Sequence, residues 1–395
     1  MRAYNAGMGP RVVVLGAGVI GLSVARALAA RGARPLVVDA SPAAREASWA
    51  AGGILGLGTE YAADGPGYRL ARFAFDRWEG VADRLRRETG VPLVVTREGT
   101  LLVAKDAADA AALAARGAFH RSVGLASALL DGPGARRVEP RLSPRIEAAL
   151  HVPEARLDNR LLLSALDAAC RNGGIEVRTG VRALRCVERG GRVFGVETES
   201  GAVPADAVVV ATGAWSEEVA ATAGLALPMV PVKGQMLRIE APDGFLGPIV
   251  KQGPQYLVPQ RGRGIVVGTT AEEVGFTRGT DEAALARIRA AAEDLVPDIA
   301  GRARVEAWAG FRPRLPDLLP ALGPVASRPG LFLATGHFRN GILLCEATGE
   351  LVARAVLGDV DPLLAAFDPE RFGRGARSDG AGPRGPVAGG PGHRP

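Results

Sequence analysis

The residues best suited to chemistry stand near the start of the chain. The β-branched run Arg11 to Leu15 (RVVVL) leads straight into Gly16, Ala17, Gly18, Val19, Ile20 and Gly21, and a second apolar run, Pro35 to Val38, ends in Asp39 followed by Ala40. A GxGxxG turn between strand and helix suits a dinucleotide pyrophosphate. Gly16 makes the turn, Gly18 lets the backbone reach the phosphates, and Gly21 lets helix and strand approach. The helix N-terminus at Val19 and Ile20 supplies amides to an anion. Asp39, about 18 residues beyond Gly21, is placed to accept from ribose hydroxyls, and a carboxylate there disfavours a 2′-phosphate. This unit alone leaves NAD and FAD both open. A later strand ends VVVATGAWS, whose small residues around Thr212, Gly213 and Trp215 admit a cofactor close to the backbone.

Other chemistries are poorly supplied. The histidines, His120, His151, His337 and His393, pair with no Ser or Cys in a nucleophile or metal-ligand spacing. Cys170, Cys186 and Cys345 are odd in number and far apart, so a disulfide framework and a CxxC site both fail, and a reducing, cytoplasmic compartment is expected. No stretch is long and apolar enough to be read as a membrane span.

These residues need a scaffold to position them. With 395 residues, 47% hydrophobic and 23% charged, the chain is long enough for two cores and too apolar for wholesale disorder. Periodicity predicts helices over Leu22–Gly32, Ala107–Arg121, Leu161–Cys170, Glu282–Leu295 and Ile342–Leu357. It predicts strands over Gly174–Val177, Val193–Glu197, Ala207–Val210, Val305–Phe311 and Leu331–Ala334, with several more between Pro228 and Gly268. Pro92–Ala104 reads as a hairpin. The pattern predicts an α/β nucleotide-binding domain interleaved with a second, mostly antiparallel domain: 11–90, 151–226 and 321–372 form the first, and 91–150 and 227–320 the second. The Gly-, Pro- and Arg-rich stretch 373–395 reads as a disordered tail. Net charge is +6, but the only lysines are Lys105, Lys233 and Lys251, and arginine is spread evenly with 5% aromatics, which argues against a nucleic-acid patch.

Taken in order, GAGVIG with Asp39, ASWAAGGIL (47–55), VVVATGAWS, PVKGQ (231–235), YLVP (256–259), WAGFRP (308–313) and GHFRNGILL (336–344) resemble the FAD-dependent amine and amino-acid oxidases of the D-amino-acid oxidase type. Within them the chain is most similar to the glycine-oxidising branch tied to thiazole biosynthesis. The resemblance runs from about Arg11 to Phe372. It implies a glutathione-reductase-like FAD domain of Rossmann type, an antiparallel-sheet substrate domain, non-covalent FAD and a homo-oligomer. It also implies a thiazole synthase as a possible partner.

On that resemblance, Ser48, Ala50, Ala51, Gly52 and Gly53 run along the isoalloxazine, and Val181 contacts the adenine side. His337, Arg339, Asn340, Gly341, Ile342 and Leu343 pass the pyrimidine end and open a helix whose N-terminus favours negative charge on the ring. Cys345 is expected to be a buried thiol rather than a flavin attachment. Arg312 is the candidate anchor for a substrate carboxylate, which its planar fork meets through two parallel hydrogen bonds. Tyr256 is expected to share that carboxylate, and Arg339 to close the pocket. No catalytic base is demanded, because a neutral amine supplies its lone pair as hydride leaves Cα. The implied reaction is oxidation of glycine or another small amino acid with O2 as acceptor. Two alternatives remain at this point: a D-amino-acid or sarcosine-type dehydrogenase using another acceptor, and a flavin-holding module without turnover.

Overall fold

The computed structural model describes residues 9–41 and 45–373 of the chain. Four of the five residues in Arg11–Leu15 are buried, as a strand must be when it has parallel neighbours on both edges, helices on one face and, on the other, a three-stranded antiparallel sheet that contributes Cys186, Val193 and Val196. It lies inside a six-stranded sheet ordered Ala321–Pro324, Leu331–Thr335, Ala207–Val210, Arg11–Leu15, Arg34–Asp39 and Glu176–Thr179. All neighbours are parallel except Ala321–Pro324, which runs against Leu331–Thr335.

The helix Val19–Ala29 returns across this sheet. Its closeness explains the third glycine of the fingerprint, because a Cβ on Gly21 would sit 1.9 Å from the Gly16 carbonyl oxygen. The helix Gly341–Val356 crosses it almost as tightly, and a Cβ on Gly349 would meet the Ser23 backbone at 2.7 Å.

A second sheet has eight strands, ordered Arg304–Arg314, Val230–Ile239, Gly264–Gly268, Gln255–Gln260, Ile249–Gln252, Thr100–Ala104, Ala148–Val152 and Ala128–Asp131. Every pairing is antiparallel except that of Ile249–Gln252 with Thr100–Ala104. One face packs Leu285, Ile288 and Ala292 of the helix Glu282–Leu295. The other presents Met236, Tyr256, Val258, Val266 and Trp308 to Ala50, so this face is the seam with the nucleotide-binding part.

Two local expectations are corrected. Pro92–Ala104 is not a hairpin: only Thr100–Ala104 is a strand, and its partners are Ala148–Val152 and Ile249–Gln252, both distant in sequence. Long-range pairing outcompetes a local turn here, and 92–99 contributes only the bridge from Thr96 to Arg156. The helices Pro66–Phe75 and Trp78–Thr89 were not anticipated. Their buried sides carry Tyr68, Leu70, Phe75, Trp78 and Leu85, and Trp78 Nε1 donates to the Leu343 carbonyl at 2.8 Å. Beyond Gly373 the expected tail lies outside the described residues.

Candidate active site

A cavity of about 570 Å³ follows the seam, within the size range of small-molecule and cofactor sites. At one end Gly16, Gly18, Val19 and Ile20 line it together with Asp39, Ala40 and Val181. Gly16 has φ 106°, and a Cβ there would come within 2.4 Å of the Ala211 carbonyl oxygen, so only glycine makes this turn. Asp39 braces it: Oδ2 accepts from Ala17 N at 2.6 Å and Oδ1 from Ser41 N at 2.7 Å. The Val181 amide is committed to the Asp39 carbonyl at 2.9 Å.

Along the middle run Ser48, Ala50, Ala51, Gly52 and Gly53, facing Thr212, Gly213 and Trp215. The sequence explains their rigidity only in three dimensions. Ser48 Oγ accepts from Val19 N at 3.1 Å, Trp308 Nε1 donates to the Ala50 carbonyl at 2.9 Å, and Asn159 Nδ2 donates to the carbonyls of Ser48 and Trp49 at 2.8 and 2.9 Å. The Arg160 guanidinium lies 3.5 Å from the Trp49 ring centroid. Trp215 stacks on Phe276 at 4.8 Å.

His337, Arg339, Asn340, Gly341 and Ile342 line the far end, where the helix Gly341–Val356 begins. Its first intrahelical bond runs from Leu344 N to Asn340 O, leaving the preceding amides for a bound anion or polar ring edge. Burial lowers the His337 imidazole to about 3, so it is neutral, and its Nε2 lies 3.0 Å from Thr348 Oγ1. The Phe338 amide donates to the Pro313 carbonyl at 2.9 Å, tying this turn to the strand that carries Arg312.

Not every expected residue reaches the cavity. Gly21 is at the helix–strand contact described above, the structural task its position in the fingerprint demands. Leu343 turns its side chain into the core, 1% exposed, and does not line the cavity, so only its backbone amide in the first helical turn is turned toward this end. Cys345, fully buried in the same core, contacts the Ile342 carbonyl through Sγ at 3.4 Å, and burial pushes its thiol pKa far up.

Arg312, Tyr256 and Arg339 converge where the cavity meets the eight-stranded sheet. Arg312 Nη1 donates to the Thr270 carbonyl at 3.1 Å and Nη2 to Thr269 Oγ1 at 2.8 Å, which aims the guanidinium. Tyr256 Oη contacts Met236 Sδ at 3.1 Å, and its ring passes between Gly52 and Gly268: Cβ atoms on these would lie 3.2 and 2.5 Å from it. Burial raises the Tyr256 pKa while Arg312 and Arg339 lower it. Burial likewise lowers Arg312, whose charge Tyr256 and Glu60 support.

Sequence reasoning missed Thr269, Gly234, Glu60 and Lys251. The only available signal was glycine inside strand patterns, at 234 in PVKGQ and at 268, where a missing side chain marks a close approach. Glu60 and Lys251 carried none. Arg314 and Leu315, just beyond Arg312 and Pro313, do not line the cavity.

A Rossmann-type sheet carrying a glycine cradle and a carboxylate, joined to an antiparallel sheet by a cavity ending in arginine and tyrosine, defines a dinucleotide-dependent redox enzyme. The glycine cradle, the close-packed 48–53 segment and the open helix terminus suit FAD. Residues 11–355 match the family model described as "DAO: FAD dependent oxidoreductase". The chain is 36% identical to a glycine oxidase of Pseudomonas putida over 92% of its own length and 99% of the relative's. It is 34% identical to a bifunctional ThiO/ThiG protein of Synechocystis, covering 91% of this chain and 54% of that one. The crystal structure of glycine oxidase from Geobacillus kaustophilus superposes with a TM-score of 0.89 at 32% identity, covering 92% of this chain and 99% of that one. This chain belongs to the DAO family of FAD-dependent oxidoreductases.

Proposed function

We propose that this chain oxidises glycine, or another small amino acid, at Cα. Glycine, O2 and water become glyoxylate, ammonia and H2O2 in the net reaction. The observation that carries this reading is Arg312: a guanidinium held by Thr269 and Thr270, opening onto the cofactor cavity beside Tyr256. FAD bound there supplies the acceptor for a hydride equivalent leaving the substrate carbon. Arg312 pairs with the substrate carboxylate, and the Tyr256 hydroxyl donates to the same group. Together they orient the molecule so that its Cα–H faces the 48–53 segment. The cationic surroundings disfavour an ammonium and promote the neutral amine, whose proton leaves to water without a dedicated base. Arg339 closes the pocket from the flavin side.

The similarity to named oxidases over nearly their whole length supports turnover rather than a passive flavin module, and O2 rather than another acceptor. Similarity to a ThiO/ThiG fusion supports supply of the product to a thiazole synthase. No helix among the described residues is long and apolar enough to cross a membrane. Three buried free thiols accord with a cytoplasmic setting. A homo-oligomer belongs to the same reading. An aerobic panel of glycine, sarcosine, D-alanine and D-proline with peroxide as readout tests it: glycine or sarcosine should give stoichiometric peroxide, and a yellow enzyme giving none with any of them overturns it.

A further inference from the structure

Lys251 lines the cavity yet is 5% exposed, and its ammonium meets Glu60 Oε1 at 2.7 Å. Arg339 Nη2 reaches the same oxygen at 3.0 Å. With Arg312, the substrate end therefore holds three cations and one anion of its own.

That anion is fixed in place. Arg116 Nη1 donates to the carbonyls of Gly58, Thr59 and Tyr61 at 2.8, 3.2 and 3.1 Å, and His120 Nε2 lies 3.0 Å from the Gly58 carbonyl. Buried Glu154 accepts from Thr59 N at 2.7 Å and from Thr59 Oγ1 at 3.1 Å. Residues on both sides of Glu60 are thus clamped, and its carboxylate cannot leave the two cations without breaking a buried pair. It is no proton acceptor for the reaction either: against burial, which raises its pKa, Lys251 and Arg339 pull it down to about 2.

One carboxylate on the substrate needs Arg312; a second would need Lys251 and Arg339. We propose that Glu60 is a specificity-determining residue, a carboxylate in the pocket wall that occupies the place of a second anionic group. The pocket thereby accepts amino acids with one carboxylate and rejects those with two, such as N-carboxymethylglycine. This rests on the proposed amino-acid pocket and names its selectivity.

The test uses two ligands that lack an amine and differ by one carboxylate, methoxyacetate and diglycolate, titrated into the yellow holoenzyme and read by the flavin absorbance change. Wild type should bind methoxyacetate at least about tenfold more tightly, the worth of one charge-assisted pair against a repulsion. Glu60→Gln should shift the ratio toward diglycolate by about tenfold or more, and adding Lys251→Met should take that gain away. Equal binding of both ligands by wild type overturns the proposal, as does an unmoved ratio in yellow Glu60→Gln. Should Glu60→Gln lose its flavin, Lys251→Met alone decides: it must move the ratio further toward methoxyacetate, and no movement overturns the assignment. Peroxide from glycine with the wild type is scored separately, so failure of the amino-acid reading is distinguishable from failure of the selectivity.

Discussion

Gly234 lies directly against the Arg312 guanidinium: a Cβ at position 234 would come within 2.3 Å of both Nη1 and Nη2. The two residues sit on neighbouring antiparallel strands, Val230–Ile239 and Arg304–Arg314, in which Val232 pairs with Arg312 and Gly234 with Gly310. The absent side chain leaves the arginine a channel along the sheet into the cavity.

Gly234→Ala should therefore act on Arg312 from outside the pocket chemistry. The methyl group displaces the guanidinium from Thr269 and Thr270, and kcat/KM for glycine should fall at least tenfold, since a charge-assisted pair contributes about 1.5 kcal/mol or more. Arg312→Ala should cost as much or more, and Arg312→Lys should recover little, because an ammonium lacks the fork. Values within about threefold of wild type for both Gly234→Ala and Arg312→Ala remove the carboxylate role.

Tyr256→Phe keeps the ring between Gly52 and Gly268 and deletes only the hydroxyl. A hydrogen bond to a charged carboxylate contributes about 1.5 kcal/mol or more, so kcat/KM should drop at least about tenfold, chiefly through KM. Steady-state kinetics with glycine measures it, and an unchanged KM would remove Tyr256 from the carboxylate site.

Gly16→Ala strains a φ of 106° and drives a methyl group to 2.4 Å from the Ala211 carbonyl oxygen. Purified variant should carry much less flavin per chain than wild type, read as the ratio of visible to 280 nm absorbance. Full yellow occupancy would show that the turn does not shape the cofactor cradle.

His337 has a pH signature. Its pKa is lowered by burial from 6.5 to about 3, so the unfolded chain takes up the proton before the folded one does. The corresponding stability is present above about 6.5 and is lost as pH falls toward 3, at up to about 1.4 kcal/mol per pH unit. Thermal melts of His337→Gln should show a shallower decline between pH 6.5 and 4 than wild type; parallel declines would place the titrating groups elsewhere.

The nucleotide-binding unit was legible because its chemistry is local: Gly16, Gly18 and Asp39 belong to one strand–turn–helix–strand segment, and each is demanded by backbone geometry within it. The helix Glu282–Leu295 was legible for the same reason, its apolar positions recurring on one face. Arg312, Tyr256 and the 48–53 segment were named from a resemblance, since nothing in their own spacing distinguishes them from the many other arginines or from small-residue loops.

Tertiary structure alone decided the rest. Thr269 aims Arg312 from 43 positions away, and Trp308 holds Ala50 from 258 positions away. Glu60 meets Lys251 across 191 positions. Such pairs depend on how two sheets are laid against each other, and a side chain's charge or size does not record which distant residue it will face. The amino-acid order alone thus determined the cofactor turn and strongly periodic elements such as Glu282–Leu295; the packing of one sheet on the other determined which cations share a pocket and which carboxylate they share it with.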